Sequence, residues 1–191
     1  MNGRRSVAAR WLLAMSPTLL LWPPLRQLLE GQMTLQMLLQ FPWLLCCGAA
    51  AFGALAHRGR VQSRVARFDD RGLFTLTLVL CVSALWMIPA ALDLSLVDER
   101  VRLAKVLSWY ASGLMLASAR SRLGPELWAF LLGNLAWMLA TAGLLIRESD
   151  RRLCVSYLER DQVWAGTGLI ALALTLLAAG MLRLGRPDAK R

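Results

Sequence analysis

Met33, Gln36, Met37 and Gln40 recur at i, i+3, i+4 and i+7, a spacing that puts two thioethers and two carboxamides on one stripe of a helix. Two chemistries fit such a stripe in an apolar segment. The amides can hydrogen-bond to neighbouring helices as packing glue, each contributing about 1 kcal/mol, or they can line a small polar pocket. Pro42 lies just below the stripe, and Pro89 sits in the next apolar segment. Proline has no N–H, so Pro42 leaves the Leu38 carbonyl, and Pro89 the Leu85 carbonyl, without its helical donor, which predicts a bend at each. Two bends at similar depth would open the pocket.

Other polar residues gather at the same predicted side. Glu30 and Asp93 flank apolar segments, as do Lys105, Ser108, Asp161 and Gln162. Ionisable groups at the ends of membrane helices are costly unless they face a cavity or a partner. Gln36, Gln40, Asp93, Lys105, Asp161 and Gln162 therefore form the candidate outer polar cluster. Lys105 is expected to pair with Asp93 or Asp161, which would stiffen the mouth of a bundle.

The elements that must position these residues are six apolar stretches separated by short charged loops. In the 191-residue chain 57% of residues are hydrophobic and 18% charged, too apolar for a soluble domain, and the charges lie between the stretches. Spans are expected near residues 10–29, 33–56, 72–92, 102–119, 125–146 and 163–182, each close to the roughly 20 residues an α-helix needs to cross hydrocarbon. The fold class is then all-α, a polytopic membrane bundle in a single domain over residues 1–191. The first span contains Pro17, Pro23 and Pro24 and is expected to be kinked; a signal peptide is the alternative there, although no small-residue cleavage site follows.

Charge orients the bundle. With six spans, the side holding both termini carries 14 of the 22 basic residues and 4 of the 12 acidic ones, so the net charge of +10 falls there and the opposite side is neutral. The positive-inside tendency makes both termini cytoplasmic, with residues 183–191 a basic cytoplasmic tail. Anionic lipid near Arg58, Arg60, Arg64 and Arg67 accounts for the basic balance, and no nucleic acid is needed.

Enzymatic chemistry has little to work with. The one histidine, His57, falls in a cytoplasmic loop; no serine or cysteine has a plausible base, and there is no phosphate-cradling glycine loop. Asp93, Glu99, Glu159 and Asp161 read as solvated carboxylates. Bis-histidine haem ligation would need a second histidine. Cys46, Cys47 and Cys81 read as small helix residues and Cys154 as a loop residue, with no disulfide or zinc spacing. Gly48, Gly53, Gly133, Gly143, Gly166 and Gly168, with neighbouring alanines, are expected to let helices approach closely.

Three segments, in order, resemble the CtaG-like family of membrane-embedded cytochrome c oxidase assembly factors: Gln36-Met37-Leu38-Leu39-Gln40 followed by Pro42 and Gly48; Trp86-Met87-Ile88-Pro89 with Asp93, then Ser108 and Gly113; and Asp161-Gln162 followed by Ala165-Gly166. The family pattern is a His-Met-x-x-His segment leading to Pro and Gly, a Trp-His-x-Pro segment with a following Asp, and an Asp-Gln-x-x-Gly segment. The resemblance spans roughly residues 30 to 170. Where the family has histidines this chain has Gln36, Gln40 and Met87, and near the family's later Glu-His it has Lys105-Val106. The resemblance implies a bacterial inner-membrane accessory protein that acts as scaffold or partner in maturing a copper-containing respiratory complex, with a degenerate metal site. It also raises a second reading, a Cu(I) chaperone using Met33, Met37 and Met87, since thioethers suit Cu(I). A small-solute or ion transporter lined by Gln36, Gln40, Asp93 and Asp161 is a third, without the paired broken helices that would mark it.

Overall fold

The computed structural model describes residues 10–21, 23–55, 69, 71–148 and 159–185. The regular structure among them is helical, with no strand. Residues 10–15 are helical and run into a 3₁₀ segment, Ser16–Leu21. Helix α1 is Pro23–Glu30. Helix α2 starts as Met33–Leu35, passes through a π turn, Gln36–Gln40, and continues as Phe41–Leu55. Then come α3 (Leu73–Trp86), α4 (Pro89–Val97), α5 (Glu99–Ala119), α6 (Pro125–Glu148) and α7 (Glu159–Leu184).

Among the described residues three stretches are long and apolar enough to cross a membrane: Met33–Ala54, Pro125–Glu148 and Asp161–Leu184. A fourth is added if α3 and α4, bent by 76° at their junction, count as one broken span. Leu145, Trp137, Trp164 and Leu174 on α6 and α7 are exposed, an outward apolar face of the kind that lipid covers.

Proline chemistry explains where the expected spans break. The first one is no single helix. Pro17 falls in the 3₁₀ segment, and α1 begins anew at Pro23, the first helical position, where a missing N–H costs nothing. Gly31 closes α1, its N–H donating to the Gln27 carbonyl at 2.8 Å. Pro42 leaves α2 continuous but widens the turn before it: the Phe41 N–H reaches back five residues to the Gln36 carbonyl. Pro89 does more than bend its helix. The residue before a proline is pushed to extended backbone, and Ile88, at φ −76° and ψ 119°, ends the element. The Leu85 carbonyl that proline was expected to strand is taken by the Ile88 N–H at 3.3 Å. Helix α3 therefore stops at Trp86, short of the expected Leu92, and its 14 residues reach only about 21 Å at 1.5 Å per residue.

At the other end of α3, Asp69 accepts hydrogen bonds from the Phe74 and Thr75 N–H groups, both at 3.1 Å. Gly72, at φ 76°, turns the chain between them in the left-handed region that glycine alone enters without strain. The buried core runs through Met33, Met37, Phe41, Leu44, Trp86, Trp109, Ala165 and Leu169, with α2 the most enclosed of the three long apolar helices.

Glycines join the helices in pairs. A Cβ on Gly48 would lie 2.0 Å from the Tyr110 carbonyl oxygen, and one on Gly113 2.0 Å from that of Leu45, so α2 and α5 meet backbone to backbone. Gly143 and Gly166 do the same for α6 and α7, each facing the other's carbonyl at 2.7 and 2.6 Å. Gly133 departs from expectation, since a Cβ there would meet nothing within 4 Å. Gly133→Ala should raise stability by about 0.5–1 kcal/mol, the helix propensity difference alone, read as a higher denaturation midpoint in detergent.

Candidate functional site

The polar stripe of α2 faces inward. Met33, Gln36, Met37 and Gln40 are all buried, the two glutamines completely. Helix α7 packs against both the first turn of α2 and its π turn, and brings Asp161, half-buried, and Gln162, buried, to the same end of the bundle.

Asp161 solves a problem at the start of α2. The first N–H groups of a helix lack internal acceptors, and Gln32, at the N-cap position, makes no side-chain cap. The Asp161 carboxylate instead accepts from the Met33 N–H and from the Thr34 N–H, the latter at 3.4 Å, and also takes the Thr34 hydroxyl. A carboxylate at a helix N-terminus is favoured by the helix dipole as well. Asp161→Ala should cost about 1–2 kcal/mol, the scale of a lost N-cap, with Asp161→Asn keeping part of it; denaturation in detergent reads both.

Lys105 does not pair with Asp93 or Asp161. Its Nζ donates to the Glu30 Oε1 at 3.1 Å, and both residues are buried. The break at Gly31–Gln32 makes this possible, because Glu30 ends the separate helix α1 instead of opening α2. A hydrogen-bond chain ties the pair's surroundings to α3: Trp86 Nε1 donates to Ser108 Oγ at 2.9 Å, and Ser108 donates to the Lys105 carbonyl at 3.0 Å. Asp93 sits half-buried on the short helix α4. Sequence reasoning placed Glu30 at this end without assigning it a partner, and missed Thr34; the tight spacing of Glu30 and Gly31 before the Met33 stripe was the available signal.

A cavity opens beside Pro42, but it is apolar and Pro89 is not part of its lining. A cavity of about 250 Å³ is lined by Met37, Pro42, Met87, Trp109, Met138 and Leu139, among others, and Phe41 stacks on Trp109 at its wall with centroids 4.8 Å apart. Gln36 and Gln40 do not line it. Nor does Gln40 act as interhelical glue: neither its Oε1 nor its Nε2 has a hydrogen-bond partner among the described residues.

The three methionines are therefore not one set. Met37 from α2 and Met87 from the α3–α4 junction share the cavity, whereas Met33 packs in the core beside the Asp161 cap. Thioethers suit a soft monovalent ion by type, and Met37 and Met87 are the pair that could offer them together. Among the described residues no group of three or more His, Cys, Asp or Glu side chains is placed to hold a metal ion. His57, Cys154 and the arginines at 58, 60, 64 and 67 lie outside the described residues, as does the tail from 186. Cys46, Cys47 and Cys81 are free thiols.

The three segments of the family resemblance do meet in space. Gly48 abuts Tyr110 and Gly113 abuts Leu45, Trp86 bonds Ser108, and Asp161 caps the helix that carries Gln36 and Gln40. No protein-family model matches the chain, and neither the curated proteins nor the solved structures provide a match.

Proposed function

We propose that this chain is a membrane-embedded, non-catalytic accessory protein, a scaffold or partner in maturation of a copper-containing respiratory complex in the bacterial inner membrane. The buried Lys105–Glu30 pair carries the reading. An ammonium held at this end of the bundle repels a metal cation, and its carboxylate partner is spent neutralising it, so the group works as an internal brace. The connection to respiratory maturation comes from the CtaG-like resemblance of segments on α2, α5 and α7. In this reading the bundle has six spans with both termini cytoplasmic. Helix α5 crosses shielded by α2, which accommodates Lys105, and the broken amino-terminal segment supplies the first span.

Deleting the gene should lower the copper and haem content of the terminal oxidase in isolated membranes, and the tagged protein should co-purify with an oxidase subunit. Normal oxidase copper and haem in the deletion strain would sink the respiratory assignment.

One observation favours a second reading. Met37 and Met87 share the apolar cavity, and a two-thioether Cu(I) site there would make the protein a metallochaperone. Stoichiometric Cu(I) in the purified protein, lost in Met37→Leu and kept in Met33→Leu, is the expected signature; no copper in the parent protein leaves the scaffold alone.

A further inference from the structure

At the end of the bundle where α2, α5 and α7 terminate and α6 begins, three arginines surround one cleft. Arg10, Arg120 and Arg183 line a depression of about 440 Å³ together with Phe52, Leu116, Trp128 and small residues of α2 and α5. All three arginines are exposed. Each comes from a different part of the chain: the helical turn at residues 10–15, the turn after α5, and the last turn of α7.

Part of this arrangement is ordinary helix chemistry. Arg10 Nη1 donates to the Gly53 carbonyl near the end of α2 at 3.4 Å, and Arg183 lies over the Trp128 ring with Cζ 4.7 Å from the centroid. Cations near helix C-termini are favourable. That accounts for where the arginines are anchored but not for their shared cleft. A guanidinium has five N–H donors, and among the described residues none of the three has a carboxylate within ion-pair distance. Among the described residues no acidic one lines the cleft. Asp69, an acid in the loop before α3, is committed to capping that helix. Three like charges around one concavity repel one another until an anion enters.

The rest of the lining identifies the anion. Phe52, Leu116 and the alanines give an apolar surface beside the three cations, which is amphipathic in the sense of a phospholipid, with a place for the phosphate and one for an acyl chain. Trp128 sits at the start of a membrane-long apolar helix, where indole rings mark the headgroup level. Basic pockets between membrane helices are suited to anionic headgroups, and the guanidinium fork matches a phosphate geometrically. We propose that the cleft bounded by Arg10, Arg120 and Arg183 binds one anionic phospholipid through its headgroup phosphate, with an acyl chain against Phe52 and Leu116.

The test uses the full chain in a neutral detergent, with native mass spectrometry counting retained lipid after titration with phosphatidylglycerol, phosphatidylcholine or inorganic phosphate. Phosphatidylglycerol should be retained at one copy per chain, and phosphatidylcholine about tenfold less, a difference of 1.4 kcal/mol. Arg10→Gln/Arg120→Gln/Arg183→Gln should abolish the preference, while Arg100→Gln/Arg147→Gln, at the other end, should keep it. Arg120→Gln alone spares the Gly53 bond and the Trp128 stack; it should weaken retention at least threefold and decides the matter if the triple variant does not fold. Equal retention of the two lipids, or an unchanged preference in Arg120→Gln and the triple variant, overturns the proposal. So does inorganic phosphate displacing the lipid at equal concentration, which would mark the cleft as a site for a free anion.

Discussion

Gly113→Ala should separate α2 from α5 and lower the stability of the whole bundle by about 3 kcal/mol, at the upper end of overpacking costs. For a chain of this size that is a fall of about 10 °C in melting temperature. The added methyl would lie 2.0 Å from the Leu45 carbonyl oxygen and 2.8 Å from its carbon. These are backbone atoms of a helix, with no side chain to rotate away, so the two helices must move apart by roughly 1 Å to restore van der Waals contact. Gly48→Ala meets the Tyr110 carbonyl at the same 2.0 Å and should cost a similar amount. The double variant should lose less than the sum, because one separation of α2 from α5 relieves both clashes. Thermal unfolding followed by helical circular dichroism in detergent measures all three, with Gly133→Ala as the internal control. A Gly113→Ala protein that melts with the parent would show that the α2–α5 crossing is looser than the structure has it.

The second large effect belongs to the Lys105–Glu30 pair. Removing one partner leaves an uncompensated charge in the interior, which costs about 3–5 kcal/mol. Glu30→Leu strands the Lys105 ammonium and should be strongly destabilised, and Lys105→Met takes the buried cation away from the Glu30 carboxylate and should destabilise as well. The double variant replaces the pair by apolar groups of similar size. It should recover most of the loss, because burying an ion pair returns little net free energy over a well-packed apolar pair. The four proteins make a double-mutant cycle whose coupling energy isolates the pair. Additive losses would mean that Glu30 and Lys105 do not interact in the folded protein. The cycle also bears on function. A double variant that is stable yet fails to support oxidase maturation would move the charged pair from brace to contact surface, whereas a functional one leaves it as brace.

Much of the architecture is local and therefore legible. The apolar runs of α2, α6 and α7 exceed the length needed to cross hydrocarbon, and no partner is required to recognise them. The prolines also act locally, through a missing N–H and restricted neighbours. Each one marks an irregularity, although whether it yields a π turn, as before Pro42, or a 76° break, as before Pro89, depends on what packs alongside. Depth was legible for the stripe of α2, since helical spacing alone puts Met33, Gln36, Met37 and Gln40 on one face.

Partnership was not legible. Lys105 had acids available in Asp93 and Asp161, and its choice of Glu30, 75 positions away, follows from the break at Gly31–Gln32, which leaves Glu30 at the end of the separate helix α1. Asp161 reads as a loop carboxylate, yet it caps a helix that starts 128 positions earlier, because the N-termini of α7 and α2 lie side by side. That the chain is helical, strongly apolar and charged at its helix ends could be read residue by residue, because those properties are set by each segment's own hydrogen bonding and transfer free energy. Which charges meet, which glycines touch, and that the cavity beside Pro42 is apolar became visible in the folded chain alone, because burial and ion pairing depend on the neighbours that distant segments bring.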